Sequence, residues 1–114
     1  MSRISTHVLD LSRGKPANDL PVRLERRELS GYWVRLSNSS TDQDGRCAQL
    51  FPENERLRAG LYRLVFDTAS YHRAQEVEGF YPVVEITFHV REGDSAFHIP
   101  LLLSPHGYTT YRGS

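Results

Sequence analysis

The chain has 114 residues, with 14 Lys and Arg balancing 14 Asp and Glu, and one cysteine. This length fits one domain, residues 1–114, with a modest core, and zero formal charge argues against a nucleic-acid binder, which is ordinarily strongly basic. A lone Cys47 excludes an intrachain disulfide, and no apolar run suits a signal peptide or a bilayer span, so a cytoplasmic protein without membrane attachment is expected.

In chain order the sequence reads as short strands between turns. Ile4, Thr6 and Val8 alternate with Ser5, His7 and Leu9, the period-two pattern of a strand. Gly14, Pro16, Asn18 and Asp19 mark residues 12–19 as a loop. Leu20, Val22 and Leu24 form a second strand, and Ser30-Gly31 turns the chain into a third, Tyr32 to Leu36. The basic residues Arg23, Arg26 and Arg27 are interrupted by Glu25 and followed by Glu28, which reads as a solvated strand face. Asp44-Gly45 is a tight-turn signal that leaves Arg46 at the turn exit. Residues 51–60 read as a loop around a short edge strand, and Leu61 to Phe66 as a strand. One short helix is expected after Asp67 or Thr68, both good N-caps, ending near Glu76 before Gly79 and Pro82. Val84 to Val90 and Phe97 to Leu103 alternate cleanly on either side of Glu92-Gly93-Asp94, and a final strand runs from Gly107 to Arg112. Seven or eight short strands with one helix predict an all-β sandwich.

Of the five histidines, His7 and His98 each lie on the strand face opposite the apolar one and should project away from the core. Spacing alone favours the plainer reading of two exposed strand histidines without a role. His89 lies on a polar strand face, His72 in the helix and His106 in a turn, none with an evident partner. No His-Glu-x-x-His spacing or second cysteine suggests a metal, and no nucleophile elbow or phosphate-binding glycine loop is present. Cys47 follows Arg46, which would lower a thiol pKa, yet an isolated cysteine is more commonly a small buried apolar residue.

Three separated blocks carry a family resemblance: Ser5-Thr6-His7-Val8-Leu9-Asp10 with Gly14-Lys15-Pro16-Ala17; Thr41-Asp42-Gln43-Asp44-Gly45-Arg46; and His98 to Pro105 running into Gly107-Tyr108-Thr109-Thr110-Tyr111-Arg112-Gly113-Ser114. Together they resemble the signature of 5-hydroxyisourate hydrolases, the enzymatic relatives of transthyretin, over essentially the whole chain. The terminal Tyr-Arg-Gly-Ser is the most specific part, whereas His106 stands where the family leads one to expect an aromatic. The resemblance implies a transthyretin-like Greek-key sandwich of about eight strands with one helix. It also implies a homotetramer built as a dimer of dimers, with a channel between opposing subunits.

By the same resemblance, the substrate is 5-hydroxyisourate, opened by water without a metal or other cofactor. His7 and His98 would transfer protons, with His7 favoured for activating water, and Arg46 would stabilise the oxyanion. Tyr111, Arg112 and Ser114 would complete the substrate site, Ser114 through its hydroxyl or a terminal carboxylate, although the last residues of a chain ordinarily fray. Two other readings compete: a carrier of a small aromatic ligand in the same channel, and a sandwich whose edges recruit other proteins.

Overall fold

The computed structural model describes residues 2–114. Strand β1 (Arg3–Asp10) follows the expected alternation, burying Ile4, Thr6, Val8 and Asp10 while Ser5, His7 and Leu9 face outward. The order continues with β2 (Lys15–Pro16), β3 (Pro21–Arg27), β4 (Trp33–Ser40), β5 (Arg46–Cys47), β6 (Gly60–Phe66), helix α1 (Thr68–Ala74), β7 (Val84–Val90), β8 (Ala96–Ser104) and β9 (Gly107–Thr110). One sheet has the order β2-β1-β8-β9, with β5 also paired to β1; the other has the order β4-β3-β6-β7. Their inner faces enclose Ile4, Val8, Leu24, Leu64, Phe66 and Leu101, all fully buried. Each such side chain contributes roughly 1.5–3 kcal/mol of burial free energy, which makes this shared core the main support of the site-bearing sheet.

Helix α1 is capped by Asp67, whose carboxylate accepts the Ser70 N–H (3.0 Å), and it gives way to Glu76 at a φ of 58°. Its Tyr71 hydroxyl donates to the buried Asp10 carboxylate (2.7 Å). The other oxygen of Asp10 accepts from Ser12 and Arg13 N–H (3.0 and 3.1 Å). The helix is thereby fastened to the end of β1.

The structure departs from the sequence reading in several places. Residues 12–19 are not wholly loop, because Lys15 and Pro16 pair with Asp10 and Leu9. Residues 51–60 contain no edge strand before Gly60. That segment is instead held by buried Leu50 and Phe51, with Leu50 N–H donating to Ile4 O (2.8 Å). Strand β4 runs on to Ser40, past a bulge opposite Leu24 and Glu25. The final strand stops at Thr110, two residues short of expectation. Arg26 is not solvated: it shares the inward face of Val22 and Leu24, leaving its side chain 13% exposed, paired with Glu28 (3.0 Å) and Glu55 (3.7 Å). His72 is buried against Tyr71, while His89 is exposed on its strand as expected.

Candidate active site

The outer face of the first sheet gathers the polar side chains. β1 pairs with β8 along its whole length, and at His7 it is flanked on the other edge by β5. His7 is paired in register with Arg46 of antiparallel β5. Ser5 is paired with His98 of parallel β8, and His7 with Pro100. Since register partners point to the same face, this arrangement sets His7, Arg46, Ser5 and His98 side by side. The neighbouring Cys47 side chain points inward, where burial pushes its thiol pKa up. That fits the small apolar role and removes the nucleophile reading.

Arg46 owes its position to the turn before it. The Asp42 carboxylate accepts the N–H groups of Asp44 and Arg46, each at 2.9 Å. Asp42 N–H donates to Arg46 O (3.0 Å), and Gly45 N–H to Asp42 O (2.9 Å). Gly45 has a φ of 76°, and its carbonyl accepts the Val8 N–H at 2.7 Å. A Cβ at this position would fall 2.3 Å from the Val8 carbonyl oxygen, so only glycine lets the turn lie against β1. The base of the loop is fixed by buried Thr41, whose hydroxyl accepts Leu20 N–H (2.9 Å) and donates to Ala17 O (2.7 Å). The backbone N–H of Arg46 holds the Asp42 pKa below its ordinary value; desolvation opposes this, and Asp44 N–H and the nearby Arg46 and His7 charges add to the lowering.

His98 is held on two flanks. Ser5 Oγ lies 2.9 Å from its Nδ1. On the other side Gly113 N–H donates to His98 O (2.7 Å), forming an isolated bridge that brings the chain end back onto β8. A Cβ on Gly113 would sit 2.7 Å from His98 Cδ2, so the absence of a side chain allows the tail to lie over the ring. Burial lowers the His98 pKa from the ordinary imidazole value, and the positive charges of Arg46 and His7 lower it further.

Arg3, Ser5, Arg46, His98, Gly113 and Ser114 line a cavity of about 370 Å³, within the range of small-molecule sites. His7 does not line it; it is the strand-register partner of Arg46, which does. Tyr111 and Arg112 are not brought to this cavity within the single chain. They line a second cavity of about 330 Å³ with Ile86, Phe88 and Ile99, and the Arg112 guanidinium lies 4.7 Å from the centre of the Phe97 ring. That cation–π contact turns Arg112 toward the inner layer before Gly113 recrosses to His98. The tail therefore divides its residues between two places. Ser5, Asp42 and Gly113 were not singled out from sequence, although Ser5 could have been found from its period-two relation to His7. Among the described residues, no three His, Cys, Asp or Glu side chains converge in a metal-binding arrangement, and no helix is long and apolar enough to cross a membrane.

The two packed sheets, the single helix between β6 and β7 and the polar outer face define a transthyretin-like β-sandwich. Residues 4–113 match the HIUase/Transthyretin family, and the chain belongs to that family. It is 46% identical to the 5-hydroxyisourate hydrolase of Mus musculus, across 99% of this chain and 96% of that protein. The solved structure of Klebsiella pneumoniae 5-hydroxyisourate hydrolase superposes with a TM-score of 0.86 at 36% identity, covering 100% of both chains. Sea bream transthyretin in complex with thyroxine superposes with a TM-score of 0.90 at 31% identity, covering 97% of this chain and 94% of that one.

Proposed function

We propose that this chain hydrolyses 5-hydroxyisourate to 2-oxo-4-hydroxy-4-carboxy-5-ureidoimidazoline, a step of urate degradation, without a metal or organic cofactor. The observation that carries the reading is the convergence of Arg46 and His98 on one cavity, with His7 beside Arg46. Similarity to hydrolases over nearly the whole chain supports it. His7 takes a proton from water as the oxygen adds to the ring acyl carbon. Arg46 presents its guanidinium to the developing oxyanion, and the carbon–nitrogen bond breaks as the departing nitrogen receives a proton. His7 and His98 are the two imidazoles that serve this step, with His98 in the same cavity as Arg46.

The cavity is open on one side in the single chain. We propose that a homotetramer, a dimer of dimers, closes it by apposing outer sheet faces, with Tyr111 and Arg112 joining the substrate site there. The buried, unpaired Cys47 accords with a reducing compartment, and the cytoplasm is the proposed location.

A carrier function has one specific observation in its favour, the close superposition on a transthyretin bound to thyroxine. The two readings separate in an ultraviolet assay of freshly generated 5-hydroxyisourate. A hydrolase accelerates loss of the absorbance in proportion to protein concentration; an unchanged spontaneous decay would reject the enzyme and favour the carrier.

A further inference from the structure

We propose that Ser5 is a positioning residue for His98: its hydroxyl donates to Nδ1, so the neutral ring carries its proton on Nε2 and meets the substrate as a hydrogen-bond donor. This refines the hydrolase reading and rests on it for its catalytic consequence.

The geometry supplies the reason. Ser5 and His98 are direct partners in the parallel register of β1 and β8, so both side chains rise from the same face. Two acceptors compete for the Ser5 proton: His98 Nδ1 at 2.9 Å, and Phe97 O at 3.5 Å. The first distance lies within the hydroxyl hydrogen-bond range and the second at its outer edge, so we assign the Ser5 proton to Nδ1. The opposite arrangement, Nδ1–H donating to Ser5 Oγ and Ser5 donating to Phe97 O, would be revealed by the tautomer measurement. A neutral imidazole has one donor and one acceptor nitrogen. With Nδ1 accepting, Nε2 is the donor.

A ring flip would exchange the two edges, but each flank is already fitted. Ser5 holds the Nδ1 edge, and Gly113 lies so close to Cδ2 that even a methyl group on it would overlap the ring. Arg3 and His7 from β1 and Arg46 from β5, all capable of positive charge, disfavour an imidazolium at His98; against them stands the carboxyl group of Ser114 in the tail, a residue that lines the same cavity. Burial acts in the same direction as the positive groups.

The consequence is a division of labour between the two histidines. A neutral Nε2–H cannot take a proton from water at that nitrogen. It can polarise the carbonyl and share the oxyanion with Arg46, as neutral imidazoles do when they act as electrophiles. The water proton then goes to His7, and the same proton returns from His7 to the departing ring nitrogen. Protons balance without any net change at His98.

The test uses the full-length protein and reads the histidine tautomer directly by nitrogen-15 NMR, with His98 identified by its loss in His98→Asn. At mildly alkaline pH, His98 is expected to show a protonated Nε2 and an unprotonated Nδ1. Ser5→Ala should shift both nitrogens toward a mixture of tautomers, lower kcat by about tenfold with little change in KM, and move the acid limb of the kcat profile to higher pH. Ser5→Thr, which keeps the hydroxyl, should restore all three. A wild-type His98 protonated on Nδ1 would overturn the proposal even if Ser5→Ala failed to fold. So would a Ser5→Ala protein whose tautomer and kcat match wild type. A wild-type protein that leaves 5-hydroxyisourate untouched would instead defeat the hydrolase reading, while the tautomer measurement would still stand or fall alone.

Discussion

Replacing Gly45 with alanine should damage both stability and the site, and the size of the effect follows from three contributions. Gly45 has a φ of 76°, where an added Cβ costs about 1–2 kcal/mol from torsion alone. The same Cβ would fall 2.3 Å from Val8 O, and relieving that overlap requires roughly an ångström of backbone movement. Overpacking of this kind costs about 1–3 kcal/mol. The movement would also strain the 2.7 Å bond from Val8 N–H to Gly45 O, which is worth about 1 kcal/mol. The total is roughly 3–6 kcal/mol, a large part of an ordinary domain stability of about 5–15 kcal/mol. Gly14 is the natural control: its φ is 67°, but nothing lies within 4 Å of an added Cβ, so Gly14→Ala should show the torsional cost alone. Urea unfolding of the two variants at equal protomer concentration measures the difference. Gly45→Ala should also lose activity through displaced Arg46, whereas Gly14→Ala should keep it. Equal destabilisation of the two variants, with Gly45→Ala fully active, would refute the role assigned to this turn.

Three further outcomes follow from particular contacts. Tyr71→Phe removes a hydrogen bond to the buried Asp10 carboxylate and should cost about 1.5–3 kcal/mol in urea unfolding; an unchanged midpoint would show that Asp10 does not depend on the helix. Burial raises the pKa of Glu25, but its hydrogen bonds to Arg23 and Arg63 and their charges outweigh that and leave it lowered. A carboxylate with a lowered folded pKa contributes stability above its unfolded value, and this is lost as pH falls through the folded value. Glu25→Gln should therefore be destabilising at neutral pH and progressively less so below about pH 4, as measured by unfolding across pH; a deficit independent of pH would contradict this. Deleting Tyr111 to Ser114 should abolish turnover while circular dichroism stays that of the folded sandwich, and near-normal turnover by the truncated protein would remove the tail from the site.

The alternation along β1 and β8 made the outward direction of His7 and His98 legible, because period two fixes which face a strand residue occupies. Their adjacency was not legible, since nothing local in the sequence reports that β1 and β8 pair in parallel. Arg46 lies on a two-residue strand, too short for any periodicity, and only its resemblance to a family motif pointed to it. The inward turn of Arg26 could have been read from its spacing with Val22 and Leu24; its charge concealed what the period implied. The missing edge strand in residues 51–60 has a different cause. Leu50 and Phe51 are drawn into the core and Leu50 is hydrogen-bonded to β1, a tertiary effect that overrides local pattern. The tail shows the limit most clearly, for the contacts of Gly113 with His98 and of Arg112 with Phe97 each depend on a partner fifteen residues earlier in the chain.

Steady-state kinetics of Arg46→Ala on 5-hydroxyisourate bears most directly on the outer-face site. Loss of an oxyanion partner should reduce kcat by about 100- to 1,000-fold while the unfolding midpoint stays near that of wild type, because the Arg46 side chain is exposed and the turn is held by backbone groups. A folded Arg46→Ala protein that turned over substrate within about twofold of wild type would be far outside the loss expected for an oxyanion group and would show that the chemistry takes place elsewhere.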